Sequence, residues 1–239
     1  EVNVVLASVP ADKKIAVLRG ENLSEDFRVI NAENDEIVYA GTLSPYMENE
    51  TADEFNYFAD FSSVTKAGKY YIEHEKAGKS YTFEIGNDIY TDSFNKVLGM
   101  FYLQRCGEEL TSDLAGDFAH AACHTGDATV YETGEKVDTT GGWHDAGDYG
   151  KYTVAGSKAA ADLLLAYERN PKAFSDDSGI PESGNGIPDV LDETRTQIEW
   201  LLKMQAADGG VYHKVTVKEF SQTIMPDEEG EVFLSPVSS

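Results

Sequence analysis

The hydrophobic period of this chain changes near residue 87, and that change constrains the fold more than any other feature. Before it, short β-rich or alternating runs are cut by turn residues. Seven such runs stand out: Asn3-Val4-Val5-Leu6, Lys14-Ile15-Ala16-Val17-Leu18, Phe27-Arg28-Val29-Ile30, Glu36-Ile37-Val38-Tyr39, Tyr57-Phe58-Ala59-Asp60-Phe61, Tyr70-Tyr71-Ile72-Glu73 and Tyr81-Thr82-Phe83-Glu84-Ile85. Arg19-Gly20-Glu21-Asn22, Ala67-Gly68-Lys69 and Ala77-Gly78-Lys79 separate several of them. Short strands at this spacing predict an antiparallel sandwich of immunoglobulin-like type over residues 1–86, with a small barrel as the other topology.

After a linker at 87–90 the period becomes helical. Thr91 or Asp92 caps a helix carrying Phe94, Val97, Leu98, Phe101 and Tyr102. A second helix is predicted over 152–168, with Ala155, Ala159, Leu163 and Ala166 among its apolar positions. A third is predicted over 188–205, with Pro188 in its first turn and Leu191, Ile198, Leu201 and Leu202 on the buried side. Loops of about 20–45 residues join these helices, and loops of that length usually carry function. Three amphipathic helices are too few to close a core over residues 91–239. The chain starts at Glu1, with no signal peptide, and stops at Ser239 just after Val232-Phe233-Leu234-Ser235-Pro236-Val237, which reads as ordered. The expectation is a processed or truncated chain.

Charge narrows the function classes. The 239 residues hold 43 acidic and 19 basic side chains, net −24. Such a polyanion repels nucleic-acid phosphates and anionic lipid, so neither is expected as a partner. Neutral ligands, cationic ligands and divalent metals stay open. The two cysteines permit a disulfide, two free thiols or two metal ligands.

The densest stretch is Gly-Gly-Trp-His-Asp-Ala-Gly-Asp-Tyr-Gly-Lys-Tyr at 141–152. Asp145 and Asp148 sit three residues apart among glycines and the rings of Trp143, Tyr149 and Tyr152. Glycine lets the backbone turn sharply or approach a ligand, and aromatic faces suit the C–H faces of sugars. Close carboxylates disfavour joint ionisation, which suits a base that takes a proton from water. An acidic turn holding a cation is the plainer alternative. Cys106, Cys123, His124 and His144 form a possible tetrahedral zinc set; buried free thiols or a Cys106–Cys123 disulfide are the alternatives. With four protein ligands a zinc ion would be structural. The 176–193 loop is rich in oxygen ligands that calcium prefers, although the helix macrodipole alone would favour its acids. His213, after the Asp208-Gly209-Gly210-Val211-Tyr212 turn, is a candidate sugar contact.

Together these blocks resemble the family 9 glycoside hydrolases, cellulases with an (α/α)6 barrel. The stretch at 141–152 is similar to that family's catalytic-base signature. Glu-Ser-Gly-Asn-Gly-Ile-Pro-Asp-Val-Leu-Asp-Glu at 182–193 and the segment 204–215 are similar to further blocks. The sandwich resembles the amino-terminal module of one branch. The resemblance implies an inverting endo-β-1,4-glucanase, with Asp148 as general base and Asp145 helping to hold the water. It implies structural zinc on Cys106, Cys123, His124 and His144, and calcium at 182–192 through Glu182, Asn185, Asp189 and Asp192. It also implies a secreted bacterial protein acting on cellulose or a related β-glucan. No residue here matches the family's glutamate acid, so the chain alone is expected to lack full activity. About half of the barrel would be absent over 91–239. The apolar faces left open would favour an oligomer or a complementing chain. A non-catalytic carbohydrate-binding or interaction protein is the rival reading. A purely metal-stabilised domain would leave the three rings without a use.

Overall fold

The computed structural model describes residues 2–3, 7–8, 13–220 and 223–235. The chain divides into two compact units, Glu1–Asp92 and Ser93–Ser239. Residues 4–6 of the first expected strand, and residues 236–237 of the last expected ordered segment, lie outside the described residues.

The first unit is a two-sheet β-structure. Its strands are β1 (Val2–Asn3), β2 (Ala7–Ser8), β3 (Ile15–Arg19), β4 (Asp26–Asn31), β5 (Ile37–Thr42), β6 (Met47–Asn49), β7 (Glu54–Asp60), β8 (Gly68–His74), β9 (Gly78–Lys79) and β10 (Phe83–Gly86). One sheet runs β1-β3-β7-β6, the other β2-β10-β8-β4-β5, with β9 beside β8. Strand alternation sends Ala16, Leu18, Phe27, Val29, Tyr57, Ala59, Tyr70, Ile72, Phe83 and Ile85 into one shared core. The short β6 and β9 were not expected, because three and two residues carry too little alternation to register.

The second unit carries α1 (Thr91–Leu103), a one-turn α2 (Ser112–Ala115), α3 (Thr153–Arg169) and α4 (Asp189–Lys203). It also holds a sheet that helical periodicity did not reveal. β11 (Ala128–Val130), β12 (Lys136–Val137), β13 (Lys151–Tyr152), β14 (Lys214–Thr216) and β15 (Phe233–Ser235) pair in the order β12-β11-β15-β14-β13. Strands of two or three residues, drawn from loops far apart in sequence, leave no local pattern to read. Ala128, Val130, Val215 and Leu234 from this sheet pack with Trp200 and Met204.

The buried side of α4 differs from expectation. Ile198 and Leu202 are exposed, Leu202 by 68%. The buried side is Asp189, Val190, Asp192, Glu193, Thr194, Gln197 and Trp200. This face is polar because it packs on irregular segments whose donors need acceptors. Gln197 Oε1 accepts the Trp143 backbone N–H at 2.8 Å, and Glu193 accepts from Arg105. Of α3, Ala160 alone is buried; Val154, Leu164 and Leu165 are exposed. Gly156 lets α3 approach α4 closely, since a Cβ there would overlap the Gln197 amide.

Candidate functional site

Two neighbouring features meet at the segment that leads into β13. The first is a cluster of Cys106, Cys123, His124 and His144, whose ligand atoms all lie within 4.8 Å of one another. The fold assembles them from the end of α1, the 120s loop and the 141–152 stretch. A backbone bridge between Arg105 and Trp143 sets Cys106 and His144 side by side. Cys106 N–H donates to the Gly142 carbonyl at 2.9 Å, and His144 N–H to the Gln104 carbonyl at 2.8 Å. Gly142 sits at φ +76°, and a Cβ there would lie 2.6 Å from Trp200 Cγ. His124 is itself left-handed, at φ +46°, a backbone cost that the cluster around it must offset.

Cys106 and Cys123 are buried and not disulfide-bonded. Cys106 Sγ lies 3.7 Å from His124 Nδ1, and Cys123 Sγ 3.7 Å from His144 Nε2. Tetrahedral zinc with ordinary Zn–S and Zn–N bonds places such atoms about 3.6 Å apart. His124 Nε2 meets the buried Glu229 carboxylate at 3.1 Å, an outer partner typical of metal-bound imidazoles. Burial alone pushes the His124 imidazole down, but Cys106 and Glu229 outweigh it and leave it above its ordinary value. Hydrogen bonding with Cys123 and the two histidines holds the Cys106 thiol well below its ordinary value, so it is the readier thiolate. The four residues together could hold a metal ion.

Behind the cluster lies a network the sequence did not reveal. Arg105 is 1% exposed. It donates to Glu193 from Nε at 3.2 and 3.1 Å and from Nη2 at 2.9 Å, and to Glu182 at 3.1 and 2.9 Å. Glu108 accepts at 3.2 Å. Burial works against the charged guanidinium, yet these carboxylates hold it above its already high ordinary value. Burial pushes Glu193 up against the pull of Arg105 and of the Trp143 indole. Its two-oxygen contact with Arg105 supports the ionised pair. Lys151, also buried, donates to the Thr139 and Gly141 carbonyls at 2.6 and 2.8 Å and so ties down the start of the 141–152 stretch. Only the adjacency of Arg105 to Cys106 hinted at any of this. Glu229, 105 positions after His124, had no local signal.

The second feature is the loop carrying Asp145 and Asp148. Asp145 N–H donates to the Gly150 carbonyl at 2.8 Å and closes the loop. Tyr149 is held left-handed, at φ +51°, by its hydroxyl donating to the Ile224 carbonyl at 2.6 Å and its ring edge-on to His144 at 5.3 Å. Asp148 is half-buried; its Oδ2 accepts the Tyr152 hydroxyl at 2.7 Å and its Oδ1 the Gly150 N–H at 3.4 Å. Burial and Asp148 push the Tyr152 phenol up to about 12. A cleft of about 140 Å³ opens beside Asp145, with Phe101, Gln104, Trp143, Tyr152 and Gly156 among its walls. His144 joins the two features, belonging to the cluster while bordering this cleft.

The aromatic residues have posts of their own. Trp143 is buried, donates its indole N–H to Glu193 at 2.7 Å and lies tilted at 47° to the Phe101 ring, with centroids 4.8 Å apart. The absence of a sugar would therefore leave none of Trp143, Tyr149 and Tyr152 idle, which removes that argument against a purely structural domain. His213 is exposed, and its carbonyl receives the Thr153 N–H at 3.0 Å at the start of α3.

The 182–192 loop does not unite its four expected calcium ligands. Glu182 gives both oxygens to Arg105. Asn185 donates to Asp192 Oδ2 at 2.9 Å and accepts from Ile187 N–H at 2.7 Å. Asp189 Oδ2 accepts from Ser183 Oγ at 2.8 Å. Asp189 Oδ1 and Asp192 Oδ1 are buried and accept no hydrogen bond, although Arg195 lies 3.3 Å from the latter.

Comparison with known proteins places this geometry in a family. Residues 90–231 match the family model for glycosyl hydrolase family 9, and residues 6–79 that for the cellulase N-terminal ig-like domain. Endoglucanase D of Acetivibrio thermocellus is 41% identical over 219 residues, 87% of this chain and 34% of the relative. The crystal structure of a metagenome-derived glycoside hydrolase family 9 endoglucanase aligns over 99% of this chain and 46% of its own, with TM-score 0.87 and 35% identity. A structure described as a Zn-binding triple mutant of GH family 9 endoglucanase J30 aligns over 93% of this chain and 44% of its own, with TM-score 0.85 and 32% identity. The chain therefore spans between a third and a half of these relatives. With 142 consecutive residues under the family model (90 through 231), the chain belongs to glycosyl hydrolase family 9.

Proposed function

We propose that this chain is the amino-terminal part of an inverting endo-β-1,4-glucanase, combining an immunoglobulin-like sandwich (residues 1–86, linked through 87–90) with the first part of an (α/α)6 barrel (residues 91–239). The observation that carries the reading is the Asp145–Asp148 loop. Its backbone is strained and closed on itself; it sets the exposed Asp145 carboxylate at an open cleft and ties the half-buried Asp148 to Tyr152, which lines the same cleft. In inversion the base takes a proton from water while an acid protonates the leaving oxygen, the two carboxyl groups standing about 6.5–9.5 Å apart. Asp148 is the base. The Tyr152 hydroxyl donates to one of its oxygens and orients the carboxylate. Asp145 helps to hold the water, and Trp143, Tyr149, Tyr152 and His213 border the sugar path. No residue of this chain matches the family's acid, so the proposed turnover is that of a longer protein. A polymer that cannot cross a membrane implies action outside the cell, and among the described residues no helix is long and apolar enough to span one.

Zinc is the ion that fits Cys106, Cys123, His124 and His144: two sulfurs, two ring nitrogens, matching separations and an outer carboxylate. When bound it supplies cross-linking, tying α1 to the Asp148 loop. Calcium, in this reading, takes Asp189 and Asp192, whose buried Oδ1 atoms lack hydrogen-bond donors; Glu182 does not take part. Elemental analysis of chelator-free protein tests both ions, and less than about half an equivalent of either removes that ion.

Asp148→Asn tests the activity, made in a chain carrying the full family 9 domain. Hydrolysis of a soluble β-1,4-glucan should fall by about 10²–10⁴-fold with the fold retained. Near-normal rates would refute the assignment.

A further inference from the structure

The amino-terminal unit contains an aromatic cleft that the hydrolase reading does not use. It measures about 280 Å³ and is lined by Glu21, Asn22, Tyr46, Phe55 and Tyr57. Glu21 and Asn22 follow β3, Tyr46 precedes β6, and Phe55 and Tyr57 share one face of β7. Tyr46 is 59% exposed. Its ring stands edge-on to Phe55, with centroids 5.5 Å apart, and tilts on Tyr57 at 6.2 Å. Tyr57 belongs to the sandwich core, so the cleft has a rigid wall. Asn22 is held left-handed at φ +53°, and Lys76 Nζ donates to its carbonyl at 2.6 Å. Among the described residues, the Glu21 carboxylate, the Asn22 side-chain amide and the Tyr46 hydroxyl take no protein partner.

We propose that this cleft binds a neutral polysaccharide strand. A hexose ring lays its C–H face on Tyr46, while its hydroxyls meet the Asn22 amide and the Glu21 carboxylate. Glu21 and the net charge of −24 disfavour an anionic occupant. The cleft is near the lower limit, about 300 Å³, of small-molecule sites, which suits one or two sugar rings along a chain.

Affinity electrophoresis of the whole chain, with and without hydroxyethylcellulose in the gel, tests this. Wild type and Tyr46→Phe should be retarded. Tyr46→Ala should bind about three- to ten-fold more weakly, the effect of losing one aromatic contact. Asn22→Gly, which suits the left-handed backbone and removes only the amide, should bind about two-fold more weakly or worse. Unchanged melting of each variant excludes a folding defect. Equal retardation of wild type and Tyr46→Ala overturns the proposal. So does an unretarded wild type, or binding of a basic peptide in place of glucan. None of these outcomes bears on Asp148, whose role is read from turnover.

Discussion

Glu193→Ala should remove a large share of the stability of the second unit. The carboxylate is fully buried and accepts four hydrogen bonds, three from Arg105 at 2.9–3.2 Å and one from the Trp143 indole at 2.7 Å. Without it, the indole N–H is orphaned away from water, at a cost of about 1–3 kcal/mol. Arg105 loses its fully buried partner but keeps Glu182 and Glu108, both partly exposed. Breaking a buried pair costs about 3–5 kcal/mol, and the remaining carboxylates put the total, indole included, within that range. Glu193→Gln keeps an acceptor for Trp143 and should lose about 2–3 kcal/mol. Urea unfolding followed by tryptophan fluorescence is the assay, because both tryptophans, Trp143 and Trp200, lie in this unit. With a slope of about 1–3 kcal/mol per molar urea, the Glu193→Ala midpoint should fall by about 1 M or more. The double variant Arg105→Met with Glu193→Leu should recover much of the loss, since no charge is then buried alone. A loss below about 1 kcal/mol, or a double variant no better than the single, would refute the argument.

Two further outcomes are expected. Cys123→Ala should carry less than about half an equivalent of zinc and melt at least about 5 °C lower; a variant that keeps a full equivalent would dismiss the four-ligand centre. Tyr152→Phe should remove the phenol that titrates near 12. The folded state holds that proton more tightly than the unfolded chain, so its contribution is complete below about pH 10 and is lost as pH rises through about 12. Stability of Tyr152→Phe should fall less steeply than that of wild type between those values. Identical slopes, measured by denaturant titration at each pH, would count against the Tyr152–Asp148 bond.

The cysteine–histidine cluster shows what sequence motifs can and cannot carry. Cys106, Cys123, His124 and His144 were legible as chemistry, because thiol and imidazole have few uses together. Their approach to within 4.8 Å was not, since the ligands come from three separate segments. The Asp145–Asp148 loop was legible for the same reason: carboxylates, glycines and rings crowd into twelve residues (141 through 152). Glu182 looked like a cation ligand by residue type. It became an arginine partner because the fold carries Arg105, 77 positions earlier, to within 2.9 Å.

The sequence by itself determined the change from strand to helix near residue 87, the extents of the long helices to within about two residues, the acidic character and the glycine-, aromatic- and carboxylate-rich motif at 141–152. Each of these is a local pattern of side-chain period, composition or spacing, available to the chain without its distant parts. Only the tertiary structure decided that α4 buries its polar side, that loop strands join in a small sheet, that Trp143 serves Glu193, and that Glu229 backs His124. Those outcomes depend on which buried donor finds which acceptor. Pairings across 50 to 105 positions are set by the packing of whole elements, and no local period encodes them.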